Sequence, residues 1–313
     1  MIPRVKISVS EDTANYYTTT VPFVPVVIMH TNSGNIGTKE LIRSESEFVS
    51  KFGKGTVETP SAYAIQTYLR TYSYIYVTRL APSNAAYGEA KMTVEENDLI
   101  SFKTNYKTAL MNGLEINLEY DKENKKLFLN TTVNSTSVSS IKESIDLDTA
   151  TAVELSTALN KICDSLNAMN LGFTTTNLFV NKTGEDTKPT IEKVLATISG
   201  GDSGLDEVDD ATVLASVDMY AQSGMNIDVM VIPEYSSANV INNAVARAEE
   251  FGFMIITSPK SKDLSTAITD VQEYVKSNSL AVYFPDVRYT NFNANIYMVL
   301  CDCVFLWYLH ISK

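Results

Sequence analysis

The sequence has few of the residues on which most metal, redox and proton-transfer sites depend. Its 313 residues include three cysteines, two histidines and one tryptophan. The cysteines Cys163, Cys301 and Cys303 show no disulfide framework, and a reducing compartment fits their number and spacing best. The run from Cys301 to Cys303, even with His310, lacks the ligand spacing of a zinc site. The sequence therefore predicts no metal site and no cofactor.

Basic residues and long apolar runs are also scarce. The chain has 25 Lys and Arg against 37 Asp and Glu, a net charge of −12, which disfavours nucleic acid or an anionic membrane as the main partner. The N-terminus, "MIPRVKISVSED", lacks the apolar core of a signal peptide. The segment Ile296–Ile311 is shorter than the roughly 20 residues of a spanning helix and contains Asp302. We predict a buried terminal segment there, with no membrane insertion and no direct nucleic-acid contact.

The overall composition is that of a globular protein. Hydrophobic residues make up 44% of the sequence and charged residues 20%, which argues against wholesale disorder. Tyrosine is frequent, with 17 residues. Their number fits either a protein-contact surface or tyrosines that lie in strands.

The first part of the chain, after a polar arm, has the pattern of strands and capped helices. Val24–His30 and Tyr74–Leu80 are short apolar runs typical of buried strands. Between them, Ser44 and Thr59 are candidate N-caps of two short helices, and Pro60 suits the first position of the second.

From residue 190 onward, short apolar runs alternate with helical patterns. The predicted strands are "KVLATIS", "IDVMVI", "FMIIT" and "LAVYF", and amphipathic segments separate them. This alternation predicts a mostly parallel sheet with helices on its faces. The two earlier apolar runs most simply belong to the same sheet.

The stretch between these two parts is polar, rich in Thr and Asn, and alternating. "GLEINLEYDKENKKLFLNTTV" predicts a hairpin with its turn at "DKEN". "TAVELSTALNKICDSLNAM" predicts an amphipathic helix. Its predicted apolar face consists of Val153, Leu155, Leu159, Ile162 and Leu166.

Together these patterns predict an α/β fold: a mostly parallel sheet core flanked by helices, with an inserted α+β (mostly β) domain and an extended N-terminal arm. The arm covers 1–20, and the discontinuous core covers 21–84 and 190–290. The inserted domain covers 85–189, and 291–313 is an atypical apolar C-terminal segment.

The run "TISGGDSG" contains G-D-S-G, which surrounds the nucleophilic serine of chymotrypsin-like proteases. A serine nucleophile needs a histidine to accept its proton, and neither His30 nor His310 has a recognisable partner pattern. Leu205 and Asp206 follow where the protease signature continues with Gly-Pro. The string also lacks the G-x-S-x-G spacing of an α/β-hydrolase. We predict no catalytic residue at Ser203 and no enzyme activity.

The same loop, Gly200–Gly204, has the position of a phosphate cradle between a strand and a helix. Neither G-x-x-x-x-G-K-[ST] nor G-x-G-x-x-G occurs. Carboxylates crowd the loop and would repel a phosphate, and their spacing does not fit a calcium loop. They are Asp202, Asp206, Glu207, Asp209 and Asp210. We expect the glycines to serve backbone geometry.

Several segments, taken in order, resemble the tail sheath proteins of contractile phage tails and related contractile injection systems. The first is "VPVVIMHTNSGNIGTKELIRSESEFVSKFG", with its Phe48, Phe52 and Gly53 spacing, and the second is "SAYAIQTYLRTYSYIYVTRL", whose strand carries Arg79. After the inserted stretch the series resumes with "ATISGGDSG", "IDVMVIPE", "RAEEFGFMIITSPK" and "LAVYFPDV". No single motif is specific, so the resemblance rests on the ordered series.

The resemblance implies a structural subunit of a contractile tail sheath, which forms stacked hexameric rings around an inner tube. Contraction would drive the tube through a target cell envelope. The implied partners are further copies of the chain, the tail tube protein, and the baseplate and tail terminator proteins. The implied location is the virion tail, assembled in the host bacterial cytoplasm.

Extended arms that add strands to sheets of neighbouring subunits are a further implication of the resemblance. Val5, Ile7 and Val9 alternate with polar residues, as a docking strand would. They are the candidate residues for inter-subunit strand exchange. Without the resemblance, a disordered tail explains the arm equally well.

The sequence departs from the family after "LAVYFPDV". Sheath proteins usually continue with a Pro- and Gly-rich segment and a C-terminal domain, whereas "NIYMVLCDCVFLWYLHISK" follows here. A truncated, frame-disrupted or naturally short form would explain this. Two alternatives to the sheath subunit are another tail or baseplate component with a sheath-like fold, and an α/β nucleotide-binding enzyme that uses Gly200–Gly204.

Overall fold

The computed structural model describes residues 23–133, 136–179, 188–261 and 263–284, and the backbone of 287–290 and 296–299. Its strands in chain order are β1 (Pro25–Met29), β2 (Glu40–Ile42), β3 (Ile75–Arg79), β4 (Tyr87–Val94), β5 (Asn97–Lys107), β6 (Glu115–Asp121), β7 (Lys126–Val133), β8 (Thr136–Ser144), β9 (Phe173–Asn177), β10 (Lys193–Thr197), β11 (Val229–Val231), β12 (Met254–Thr257), β13 (Leu280–Val282), β14 (Val287–Thr290) and β15 (Ile296–Val299). Its helices are α1 (Glu45–Phe52), α2 (Pro60–Tyr68), α3 (Ala152–Ala168), α4 (Asp210–Ala221), α5 (Ala238–Phe251) and α6 (Leu264–Gln272).

Six strands form the core sheet, in the order β13-β12-β11-β1-β3-β2. All neighbours are parallel except β2, which runs antiparallel to β3. In β1, Val26 and Ile28 are buried on one face of the sheet and Val27 and Met29 on the other. Burial on both faces is typical of parallel strands covered by helices. The predicted mostly parallel α/β core is confirmed.

Helices cover both faces of this sheet. The face that includes Val27 packs against α1 and α2, and the face that includes Val26 packs against α4 and α5. The chain passes from β1 to β3 on one side of β1, and from β11 to β12 and β13 on the other. The carboxyl ends of β1 and β11 therefore form the point where strand order reverses, the usual place for a cleft in such sheets.

The predicted helix starts are found, with one difference in hydrogen bonding. The amide of Glu47 donates to the Ser44 hydroxyl at 3.1 Å, as expected for an N-cap of α1. Pro60 begins α2, but the side chain of Thr59 makes no capping bond. Its hydroxyl instead accepts from Asn32 Nδ2 at 3.3 Å, so it holds the loop after β1.

Between β3 and α4 the chain forms two antiparallel sheets, called the inserted sheets below, and helix α3. Together they surround a separate hydrophobic cluster. The sheets have the orders β10-β6-β7-β8 and β4-β5-β9, and the "DKEN" turn joins β6 to β7 as predicted. Within α3, Val153 is 57% exposed, against its predicted place on the apolar face. The buried stripe starts at Ala152 and continues through Leu155 and Leu159, the spacing of a single helix face.

The strand Lys193–Thr197 differs from its predicted place in the core sheet. It pairs antiparallel with β6 in the four-stranded sheet. Val194 and Ala196 are buried, while Leu195 is 57% exposed. Alternation of this kind belongs to an antiparallel strand with one solvent face, whereas the core strands are buried on both faces.

After β13, the strands β14 and β15 form an antiparallel hairpin, and the backbone of β15 lies against α2. The other residues of the predicted C-terminal segment 291–313, like the predicted arm 1–20, lie outside the described residues. Within the described part of the chain, no helix has the length and apolar character needed to cross a membrane.

Candidate functional site: the junction of the core and the inserted sheets

The loop Gly200–Gly204 joins β10 to the segment that leads into α4, and it lies against the inserted sheets. We call the region where this loop, the core and the inserted sheets meet the junction. Asp202 and Ala86 exchange two backbone hydrogen bonds, at 3.0 and 3.1 Å. The Asn112 side chain bonds both polar backbone groups of Gly201, accepting from its amide at 3.0 Å and donating to its carbonyl at 2.8 Å. The loop is therefore held along its length by strand-like contacts.

The glycine at 201 allows the close approach of two backbone segments. A Cβ atom at Gly201 would lie 2.1 Å from the Thr108 carbonyl oxygen, a distance that side-chain movement cannot relieve. Gly200 has a different role, because its φ of +74° lies in the left-handed region and a Cβ there would meet nothing within 4 Å. Gly201 therefore permits the close contact between the two backbones, and Gly200 permits the turn of the chain.

Arg79, the last residue of β3, is fully buried at the centre of this junction. Its Nη1 donates to the Gly34 carbonyl at 2.7 Å, and its Nη2 donates to the carbonyls of Lys107 at 2.8 Å and Ser203 at 2.6 Å. Burial lowers the pKa of Arg79 to about 10, so the guanidinium remains charged at neutral pH. One cation thereby joins the loop after β1, the end of β5 and the loop Gly200–Gly204.

Ser203 completes the same junction with its hydroxyl. The Oγ atom donates to the Asn32 carbonyl at 2.8 Å and accepts from the Ala109 amide at 3.0 Å. The side chain of Thr108 donates to the same Asn32 carbonyl at 2.7 Å. Among the described residues, no histidine bonds to Ser203, which is 5% exposed. The hydroxyl acts as a cross-link between the core and the inserted sheets.

The amides that a phosphate cradle would use are already bonded within the protein. Gly201 donates to Asn112 Oδ1, Asp202 to the Ala86 carbonyl, and Gly204 to Asp202 Oδ1 at 2.8 Å. In the described part of the chain, no group of three or more His, Cys, Asp or Glu side chains is placed to hold a metal ion. The loop's hydrogen bonds thus serve the fold.

A small cleft of about 140 Å³ lies beside the junction, where the strand order reverses. Three of the residues that line it are His30, which comes directly after β1, and Glu234 and Tyr235, which come after β11. At its rim, Lys260 Nζ and Glu207 Oε1 form an ion pair at 2.6 Å. The main-chain amide of His30 donates to Glu234 Oε2 at 3.3 Å.

We expect His30 to make the stability of the protein depend on pH. Burial lowers the pKa of His30 below 6.5, and Arg79 acts in the same direction, against a backbone hydrogen bond to Leu80 and the charge of Asp206. The Nδ1 atom of His30 is buried without a hydrogen-bond partner. Protonation would therefore place an unsatisfied donor inside the protein.

The unfolded chain takes up this proton near pH 6.5, and the folded protein takes it up only at lower pH. The contribution of His30 to the free energy of unfolding is therefore fully present above about pH 6.5 and is lost as the pH falls below it. We expect His30→Gln to flatten this decrease between about pH 6.5 and 5, measured by urea unfolding at each pH. An unchanged slope in the variant would contradict the assignment.

The predicted strand-exchange residues Val5, Ile7 and Val9 lie outside the described residues, so their role stays a prediction. The sequence marked Arg79 only as part of a family resemblance and gave Ser203 no role. Their partners are main-chain groups of segments distant in sequence, and such bonds leave no periodic signal in the residues that accept them.

No protein-family model matches the sequence, and no curated protein matches it. The structure is similar to that of a sheath tail protein from Desulfitobacterium hafniense, with a TM-score of 0.56 and 10% identity over 97% of this chain. It is also similar to a sheath tail protein from Listeria innocua, with a TM-score of 0.54 and 13% identity over 93% of this chain.

These similarities extend over nearly the whole of this chain but only part of each longer protein. The matched regions cover 61% of the D. hafniense protein and 56% of the L. innocua protein. At such low identity the likeness concerns the fold, and it includes both the core sheet and the inserted sheets. The chain has the fold of sheath tail proteins.

Proposed function

We propose that the protein is a structural subunit of a contractile tail sheath. The observation that carries the proposal is the structural likeness to two sheath tail proteins over 97% and 93% of this chain. In this role the chain assembles with copies of itself into stacked hexameric rings around a tail tube. The baseplate and tail terminator proteins are its further partners in the virion tail.

The junction supports a mechanical role. A sheath subunit must transmit force between its domains and move as a nearly rigid body during contraction. Arg79 and Ser203 connect the inserted sheets to the core through hydrogen bonds of 2.6 to 3.0 Å. Both Nη atoms of Arg79 are bonded in this network, while its Nε atom is buried without a hydrogen-bond partner among the described residues. Buried hydrogen bonds of the bonded kind restrict the motion of the segments they join. The junction thus suits a body that carries load.

Negative-stain electron microscopy of the concentrated protein tests this proposal. We expect rings, tubes or polymerised sheath-like particles. Deleting residues 1–15 is expected to abolish these assemblies, because Val5, Ile7 and Val9 would no longer add a strand to a neighbouring subunit. The thermal unfolding midpoint of the deletion variant serves as control and should match that of the full chain.

A strictly monomeric full chain at all concentrations would overturn the sheath proposal. Assemblies that persist unchanged after the deletion would instead overturn the strand exchange alone. Cryo-electron microscopy of an assembled particle would then separate a sheath subunit from another tail or baseplate component, since the two differ in their position along the tail.

A further inference from the structure

An apolar groove of about 550 Å³ lies between α6 and β13, at one edge of the core sheet. Three apolar side chains of α6 lie on one face of the helix at spacings of four and three residues, and Val275 follows three residues after the helix ends. Leu264 is 60% exposed, Ile268 51%, Val271 37% and Val275 44%. Of the residues within α6, only Ala267 is buried.

A helix on the surface of a globular protein normally turns such a stripe toward the core. Here the stripe faces outward, beside an edge strand whose outer backbone groups have no neighbour in the six-stranded order. The lining of the groove carries one charge, that of Lys276. A contiguous apolar surface of this kind indicates a binding site.

Strand β15 of the hairpin that follows β13 lies away from this groove. The backbone of β15 lies against α2, which packs on one face of the sheet, whereas Leu280 and Val282 in the groove belong to the other face. The next segment, Leu300–Ile311, has ten apolar residues among twelve and one charge, that of Asp302. It lies outside the described residues.

We propose that Leu300–Ile311 passes around the edge of the core sheet and binds in the groove between α6 and β13. An extended chain advances about 3.3 Å per residue, so about six residues cross the roughly 20 Å between the layers packed on opposite faces of a sheet. The single charges of the two surfaces, Asp302 and Lys276, are opposite in sign. The proposal does not depend on the tail-sheath function.

A second copy of the chain is a weaker candidate for this groove. A segment tethered in the same chain has an effective local concentration on the order of 1 mM, far above that of a separate protein in dilute solution. Two copies also carry a net charge of −12 each and repel one another at long range. Both effects favour the segment of the same chain.

Thiol cross-linking in the full-length protein tests the proposal, because Cys301 and Cys303 lie in the segment. Burial raises the pKa of the Cys163 thiol to about 11, so this thiol does not react at mildly alkaline pH. In a Cys301→Ser background, Ile268→Cys and Val271→Cys each place a second thiol in the groove. Thr157→Cys, on the exposed side of α3, is the matched control.

With a short bis-maleimide, we expect Cys303 to link within one chain to the introduced thiols in the groove. The rate should be independent of protein concentration and about a hundredfold or more above that of the control. Links between chains that increase with concentration would assign the groove to a second copy and overturn the proposal. Equal yields from groove and control positions would place the segment elsewhere and also overturn it.

Discussion

Arg79→Met is expected to lower the free energy of unfolding by about 3–5 kcal/mol. The substitution keeps much of the volume of the side chain but removes the donors to three carbonyl oxygens, those of Gly34, Lys107 and Ser203. Because these acceptors belong to three separate segments, their loss weakens the core and its attachment to the inserted sheets together.

Arg70→Met provides the control for this experiment. The Arg70 side chain is 46% exposed and pairs with Glu45 at 2.6 Å, so its loss should cost about 1 kcal/mol or less. Urea unfolding followed by circular dichroism at one pH compares the two variants. Limited proteolysis adds a second readout, because a loosened junction should expose the segment around Lys107 in the Arg79 variant. Equal losses of stability from both substitutions would contradict the proposed role of Arg79.

Gly201→Ala is expected to have a comparable effect, of about 3 kcal/mol or more. The added methyl group would lie 2.1 Å from the Thr108 carbonyl oxygen and 3.1 Å from the Gly88 amide nitrogen. Both neighbours are backbone atoms, so the loop can make room only by separating from the inserted sheets. The hydrogen bonds of Asn112 to Gly201 would then be lost as well.

Gly200→Ala is a matched control in the same loop. It adds the same methyl group where nothing lies within 4 Å, so its cost is the left-handed backbone conformation alone, about 1–2 kcal/mol. Thermal and urea unfolding should therefore rank the two variants clearly. A Gly201 variant as stable as the Gly200 variant would show that the two backbones are not held at this distance in solution.

Hydrophobic patterns predicted most of the architecture because burial imposes a period on the sequence. In α5, one of the predicted amphipathic segments, the buried residues recur at helical spacing, namely Val240, Ile241, Ala244, Val245 and Ala248. The continuous apolar runs of the core strands likewise follow from helices on both faces of the sheet. The same reasoning placed the hairpin turn between β6 and β7.

The two wrong placements have a common cause. Apolar residues indicate that a segment is buried, but they do not show which element it packs against. For this reason the strand Lys193–Thr197 was assigned to the wrong sheet, and Val153 was assigned to the buried face of α3. In the structure, Leu195 is exposed between two buried residues, which is typical of a strand with one solvent face. Leucine is apolar, so its exposure could not be recognised from residue type.

The junction lay beyond prediction for a different reason. Its hydrogen bonds join residues far apart in the chain, with separations of 45 for Arg79 and Gly34 and 171 for Ser203 and Asn32. Their acceptors are main-chain carbonyls, which every residue type supplies. A sequence can show that an arginine follows an apolar strand, but only the assembled fold shows which carbonyls surround it.

The position of β1 at the centre of the core sheet has a consequence for synthesis of the chain. Pro25 pairs with Val229, while the partners of β1 on its other side, in β3, are made much earlier. At about 5–20 residues per second, translation of the intervening chain takes on the order of tens of seconds. During that time the sheets between β3 and α4, which have a hydrophobic cluster of their own, emerge complete from the ribosome, while β1 still exposes the edge that β11 will occupy.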